Sequence, residues 1–254
     1  MVLTGHTPEA TTSVSWLRDG CPAPVRRVRV PPIGALAIGK RAVENLEVPN
    51  LDHVRWVGGG SGAGKTTVAR SIAERFGLEY YSTDSALSVH SERLGPTEAP
   101  LLTQFRQMSL DERWVMHDPA TMYATFPWFH GEGFELLVED LHSMPTNRPL
   151  LVEGFRLIPH LVRPLVSNPK HAAWLVPTPE FRLATFSQRQ GFHAFWERTS
   201  DPEQALSNLL ERDRIFTDEI ALDARQHQFE VIRVDSTQTV DDVVIELVSL
   251  FEVD

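Results

Sequence analysis

Apolar residues in this chain fall into two kinds of run. Short continuous runs read as strands buried on both faces, and longer segments with apolar positions three and four apart read as amphipathic helices. Val54 to Val57, Leu78 to Thr83, Pro149 to Glu153, Ala172 to Val176 and Val231 to Asp235 are of the first kind. Lys65 to Phe76, Glu180 to Arg189 and Glu203 to Gln226 are of the second, as is a last helix whose apolar face is Val240, Val243, Val244, Leu247, Val248 and Phe251. Gly77 is placed to cap the first of these helices. Strand followed by helix, repeated, predicts an α/β fold whose parallel strands are joined by right-handed crossovers.

Two regions break that alternation. Residues 85–148 hold the helix-like runs Leu101 to Met108, Leu110 to Val115 and Glu132 to His142, with an aromatic cluster of Tyr123, Phe126, Trp128, Phe129 and His130 between them. This is a helical insertion, and its aromatic residues either line a binding wall or form the small core of a cap. Residues 1–24 are rich in Thr, Ser, Pro and Gly and read as a loosely ordered arm. Val25 to Val30 alternates Val with Arg as a half-exposed strand would, and Leu36 to Leu46 could form a short helix. The chain therefore divides into an extension over 1–50 and a main domain over 51–254.

The clearest chemistry lies directly after the first strand. Gly58-Gly59-Gly60-Ser61-Gly62-Ala63-Gly64-Lys65-Thr66-Thr67 contains the P-loop pattern, a glycine, four residues, then Gly-Lys-Ser/Thr. Glycines permit the backbone to turn successive N–H groups into one concavity, the following helix adds its free N–H groups and positive dipole end, and Lys65 adds a full charge. Such a cradle fits a polyphosphate. Gly59, Gly60, Ser61, Gly62, Ala63, Gly64, Lys65, Thr66 and Thr67 are the candidate nucleotide-binding residues, with the Thr66 hydroxyl placed for an accompanying Mg²⁺. With glycine near 7% of residues, the bare pattern would arise by chance in roughly one chain in a hundred of this length. A similar run from Gly34 to Arg41 has helix- or strand-forming residues in its middle and Arg41 where the hydroxyl is needed, so it is a decoy.

Two acids should join this loop. The first helix carries the chain about 18 Å away from it, and the extended residues after Gly77, at about 3.3 Å each, bring it back. Asp84 then lands near the phosphates. Glu153 ends an apolar strand on the same sheet edge, the position from which such a carboxylate holds Mg²⁺ or orients a nucleophile. Thr66, Glu153 and Asp84 are the candidate metal contacts. Farther on, Arg182, Arg189 and Arg198 precede the long helix, which itself carries Arg212 and Arg214. Arg189, Arg212 and Arg214 are candidates for closing over a phosphoryl group, from a region near 189–216, against the alternative of surface salt bridges with Glu211, Asp213 or Asp218.

Charge and cysteine content narrow the class. A formal net charge of −10 argues against sequence-independent nucleic-acid binding, which needs a surplus of Lys and Arg. The single cysteine, Cys21, excludes an intrachain disulfide and suits a reducing compartment. No apolar run approaches the roughly 20 residues that span a bilayer, so no membrane association is expected and a cytoplasmic location is. Oligomeric state is open, a dimer included. No Asn-Lys-x-Asp sequence is present to read guanine.

The order P-loop, Asp84 after the second strand, helical insertion, Leu151-Val152-Glu153-Gly154 at the third strand, and arginines between the fourth and fifth resembles the nucleoside-monophosphate-kinase-like group of P-loop kinases over about residues 52–252. Leu151 to Pro159 is similar to the third-strand segment of 2-phosphoglycerate kinases, and the placing of Asp84 is similar to that in zeta-toxin and chloramphenicol phosphotransferase kinases. The resemblance implies a three-layer P-loop NTPase fold with a five-stranded parallel sheet in the order 2-3-1-4-5. It implies ATP as donor, a small-molecule hydroxyl or phosphate as acceptor, an acceptor site built by the insertion, and an acid at Asp84 that accepts or orients the acceptor proton. Cytidylate kinases carry an Asp-Arg pair after the glycine; this chain has Phe155-Arg156 there. The rival reading is a P-loop ATPase or nucleotide-binding regulator that acts through a partner.

Overall fold

The computed structural model describes residues 51–253. The arm, strand and helix expected before residue 50, the run from Gly34 to Arg41 and Cys21 lie outside the described residues. Strands β1 Val54–Gly59, β2 Glu79–Ser82, β3 Leu150–Glu153, β4 Ala172–Pro177 and β5 Glu230–Val234 pair in parallel in the order β2-β3-β1-β4-β5. That is the order expected. The helices are α1 Lys65–Phe76, α2 Leu87–Arg93, α3 Pro100–Gln107, α4 Leu110–Trp114, α5 Pro119–Thr125, α6 Phe134–Ser143, α7 Pro159–Val162, α8 Pro179–Ser187, α9 Pro202–Gln226 and α10 Val240–Phe251. Tighter 3₁₀ turns include Pro127–His130 and Gly191–Arg198.

Side chains alternate across the sheet and so build two apolar layers. Val57, Leu151, Ala173, Leu175, Ile232 and Val234 pack with Val68 and Ile72 of α1 and with Val244, Leu247 and Phe251 of α10. On the opposite face Trp56, Leu150, Val152 and Trp174 pack with Leu137 and Leu141 of α6 and with Phe216, Ile220 and Ala224 of α9. The result is three layers, helix on sheet on helix. Trp174 fits because Gly58 has no side chain: a Cβ there would stand 2.3 Å from the indole Nε1, which donates to the Leu157 carbonyl at 2.8 Å.

The insertion does not stand apart as a cap. Phe129 stacks on Phe216 at 3.7 Å between ring centres with 6° between planes, joining the main core. Trp128 instead packs with Leu94, Ala99, Leu102 and Leu136 in a core of the insertion's own. Phe126 touches both and a third cluster around Phe105 and Trp114. Short helices α2 and α5, seven residues each, were not legible as separate elements.

The starts of α3, α8 and α9 each fall one residue before the sequence reading, for one reason. Helices α3, α5, α8 and α9 each begin on a proline, whose missing N–H is one the first turn leaves unused and whose fixed φ suits it. Helix α6 starts two residues later than expected, because Glu132 turns away from it. Its carboxylate accepts from the Leu101 and Leu102 amides, both at 2.8 Å, and caps α3, whose own N-cap residue Ala99 offers no side-chain oxygen. Among the described residues no helix is long and apolar enough to cross a membrane.

Phe216→Ala should cost about 3–5 kcal/mol of folding free energy, read from urea denaturation. Because Phe129 and Phe216 share one contact, adding Phe129→Ala should cost less than the sum of the single losses.

Candidate functional site

The site is built where β1 ends. Gly59 takes φ 130, and a Cβ on it would lie 2.1 Å from the Leu175 carbonyl oxygen, which accepts from the Gly60 amide at 3.0 Å. The loop therefore leaves the sheet pinned to β4. Helix α1 opens at Lys65 behind Gly64 (φ 76), with no side chain capping it and no atom within 4 Å of the place a Gly64 Cβ would occupy. No side chain takes up its first-turn amides, as an anion site at a helix start requires. The underside is closed by Thr217, Arg182 and Phe186: a Gly60 Cβ would meet Thr217 Oγ1 at 2.4 Å, and Gly62 rests against Phe186 and Arg182.

Lys65 is 8% exposed, and its Nζ donates to the Gly60 carbonyl at 2.8 Å. Burial pushes this ammonium below the ordinary lysine range, opposed by the nearby carboxylates of Asp84, Glu153 and Asp213. The Thr66 hydroxyl lies 3.2 Å from each oxygen of Glu153, and the Tyr80 hydroxyl donates to Oε1 at 2.9 Å. Glu153 is fully buried at the end of β3, level with Val57 of β1 and Ser82 of β2. Two residues past β2, Asp84 follows Thr83, whose amide donates to the Glu153 carbonyl at 2.9 Å. Gly154 makes room for this turn: with φ 147, a Cβ there would lie 1.8 Å from Thr83 Oγ1 and 3.2 Å from Asp84 Oδ1. Asp84 is exposed at the strand edge. The surrounding protein pushes its carboxyl up, Lys65 pulls it down, and Glu153 raises it further.

The structure thus gathers Lys65, Thr66, Glu153 and Asp84 at one edge of the sheet. The arginines behave differently from one another. Arg189, just past α8, lies over the Phe186 ring at 3.7 Å and has no hydrogen-bond acceptor for its guanidinium among the described residues. Burial lowers its pKa, with Asp213 and Asp84 acting the other way. Arg212 is directed elsewhere: its Nε and Nη2 hold Asp213 Oδ1 at 2.9 and 2.6 Å, and its face lies against Trp114, Phe126 and Phe129. Arg214 is 46% exposed and paired with Glu211 and Asp218, the surface arrangement weighed as its alternative. Arg212 and Arg214 are not among the groups brought to the phosphate loop, because α9 turns one into the insertion's aromatic rings and the other to water.

Three residues contribute that the motif did not single out. Arg182 donates to the Ser61 carbonyl at 3.3 Å and to Thr217 Oγ1 at 2.5 Å, bracing the loop from below. Tyr80 steers Glu153, and Asp213 supplies a buried carboxylate facing Lys65, Arg182 and Arg189. Arg182 was one of five arginines with nothing in the sequence to separate them. Tyr80 carries a faint signal as a polar aromatic on a strand beside the edge.

Thr66 and Glu153 themselves offer oxygen atoms only, which suits Mg²⁺, a cation bound through few protein oxygens and completed by phosphate and water. Among the described residues no group of three or more His, Cys, Asp or Glu is placed to hold a metal by itself. An open groove of about 440 Å³ runs from Thr66 and Thr67 along α1 past Arg70, Ser71, Glu74 and Arg75.

No family model and no curated protein matches the chain. Similar solved structures include a gluconokinase from Sinorhizobium meliloti, 18% identical over 80% of this chain and 94% of that one, with a TM-score of 0.41. A sugar kinase from Janibacter sp. is 18% identical over 81% of this chain and 96% of that one, at 0.43. Shikimate kinase from Acinetobacter baumannii, solved with shikimate, is 18% identical over 78% and 92%, at 0.41. The functional reading rests on the geometry and not on these likenesses.

Gly154→Ala should lower folding stability by about 1–3 kcal/mol, because φ is unsuited to a side chain and Thr83 stands in the way. An unchanged urea midpoint would show that Thr83 and Asp84 can move aside freely.

Proposed function

We propose that this protein is an ATP-dependent kinase that transfers the γ-phosphoryl group to a hydroxyl of a small-molecule metabolite. The observation that carries the reading is the meeting of Lys65, the Thr66–Glu153 pair and Asp84 at the mouth of an open helix start. Phosphoryl transfer asks little covalent chemistry of a protein and much positioning and charge neutralisation. The loop amides and Lys65 hold the donor's phosphates. Thr66 and Glu153, with Asp84 beside them, would hold Mg²⁺, which when bound neutralises phosphate charge.

Asp84 draws the acceptor hydroxyl into line and receives its proton as the new oxygen–phosphorus bond forms. The bond from the γ-phosphorus to the bridging oxygen breaks, and ADP departs. Orientation matters more than basicity in this step, since a loose transition state releases the proton late. Arg189, whose guanidinium has no acceptor among the described residues, would meet charge on the transferring group. The insertion, tied to Asp84 through α2, borders the acceptor's space.

Turnover of radiolabelled ATP across a panel of sugars, sugar acids and hydroxy acids tests this. Strong acceptor dependence is expected, with Asp84→Asn lowering it about 10²–10⁴-fold and Arg189→Met about 10²–10³-fold. Undiminished transfer by Asp84→Asn removes that residue from its role. ATP hydrolysis indifferent to every acceptor would favour an ATPase or regulator acting through a partner. Lys65→Met should weaken binding of an ATP analogue by calorimetry under either reading.

A further inference from the structure

Next to the site lies a buried polar cluster that phosphate handling does not use. His90 of α2 is 1% exposed, Arg156 is 2% exposed, and they meet with Arg156 Nη1 at 2.9 Å from His90 Nδ1. A guanidinium can only donate, so Nδ1 must present a lone pair and the ring proton must sit on Nε2. Nε2 faces Asp140 Oδ2 of α6 at 2.8 Å, and the Tyr81 hydroxyl of β2 donates to that same oxygen at 2.6 Å. Arg156 Nη2 donates to the Gly133 carbonyl at 2.9 Å, and its plane lies 4.7 Å over Trp128. One arginine, three residues beyond Glu153, therefore joins the strand end to the insertion at α2 and at the start of α6.

We propose that Arg156 and His90 form a clamp that fixes the helical insertion against the strand ends carrying Glu153 and Asp84, and that it closes only on a neutral imidazole. A doubly protonated ring would aim an N–H at the guanidinium and set two cations together. Around His90 stand Arg156, Arg93 and Asp140; around Arg156 stand Tyr81, Asp84, Glu135 and Asp140. Burial pushes His90 below its ordinary value, Asp140 opposes, and Arg156 and Arg93 act with burial. Burial also draws Arg156 down to about 10, still charged at neutral pH. With His90 depressed, the unfolded or opened chain takes the proton more readily. The clamp is intact above the ordinary histidine pKa near 6.5 and is lost as pH falls through the lowered value. Arg156 is a positioning residue. Its bearing on acceptor placement rests on the kinase reading; the clamp itself does not.

The test uses the full chain with ¹⁵N-labelled histidine. At neutral pH His90 should appear as the Nε2–H tautomer, titrating below the ordinary value. Amide hydrogen exchange over 87–143, corrected for its intrinsic pH dependence, should accelerate through that titration while α1 stays unchanged. His90→Asn keeps an acceptor facing Arg156 without a titrating ring, so its insertion should lack the acid acceleration. Arg156→Gln should raise the His90 pKa and speed insertion exchange roughly ten- to a hundredfold at neutral pH. It should leave ATP-analogue affinity unchanged and, if the kinase reading holds, raise acceptor KM with little change in kcat. An Nδ1–H tautomer, insertion exchange indifferent to the titration, or an unmoved His90 titration in Arg156→Gln would overturn the clamp. Those readouts need no turnover, so failure to find an acceptor leaves them decisive.

Discussion

The site depends on the register of β3 between β2 and β1. With Glu153 level with Val57 on one side and Ser82 on the other, its side chain projects to the α1 face of the sheet and meets Thr66. A slip of one residue would turn Glu153 toward α9 and put Val152 in its place, since neighbouring side chains point to opposite faces. The same register aligns Thr83 with the Glu153 carbonyl and so fixes Asp84 above Gly154. Parallel pairing brings all strand ends to one edge, and apolar packing on both faces keeps the register from slipping.

Around that edge, desolvation sorts the cations. A buried guanidinium is tolerated when carbonyls, hydroxyls or a carboxylate accept its protons. Arg182 finds Ser61 and Thr217, Arg212 finds Asp213, and Arg156 finds Gly133 and His90. Arg214, left on the surface, finds acids that any solvated helix face could offer. Arg189 has an aromatic face beneath it and no hydrogen-bond acceptor among the described residues, which is what singles it out for the proposed role at a phosphoryl group. The formal charge of −10 is no obstacle, because a small anion responds to these few groups and not to the whole surface.

Among the contacts that bind the insertion to the core, two are unlike in kind. Phe129 on Phe216 is apolar and indifferent to pH, whereas Arg156 on His90 depends on a lone pair that acid removes. The first belongs to the apolar layer on the α9 face of the sheet, and the second is the proposed clamp against the strand ends. Glu132 belongs to the same logic, since it closes α3 from across a loop where local sequence supplied no cap.

Local physics made much of this protein readable from its residues. The glycine spacing around Lys65, the apolar strands and the geometry of α1 fixed the phosphate loop, the alternating fold and the arrival of Asp84 and Glu153, because each rests on contacts within a few residues or on the handedness of one crossover. Helix starts at Pro100, Pro119, Pro179 and Pro202 were legible in principle, since proline suits a first turn as well as it ends a strand. Tertiary structure alone chose among the arginines, divided Trp128 from Phe129 and joined His90 to Arg156 across 66 residues. Those outcomes depend on which neighbours exclude water from a charge or a ring, and no local pattern of residues carries that information.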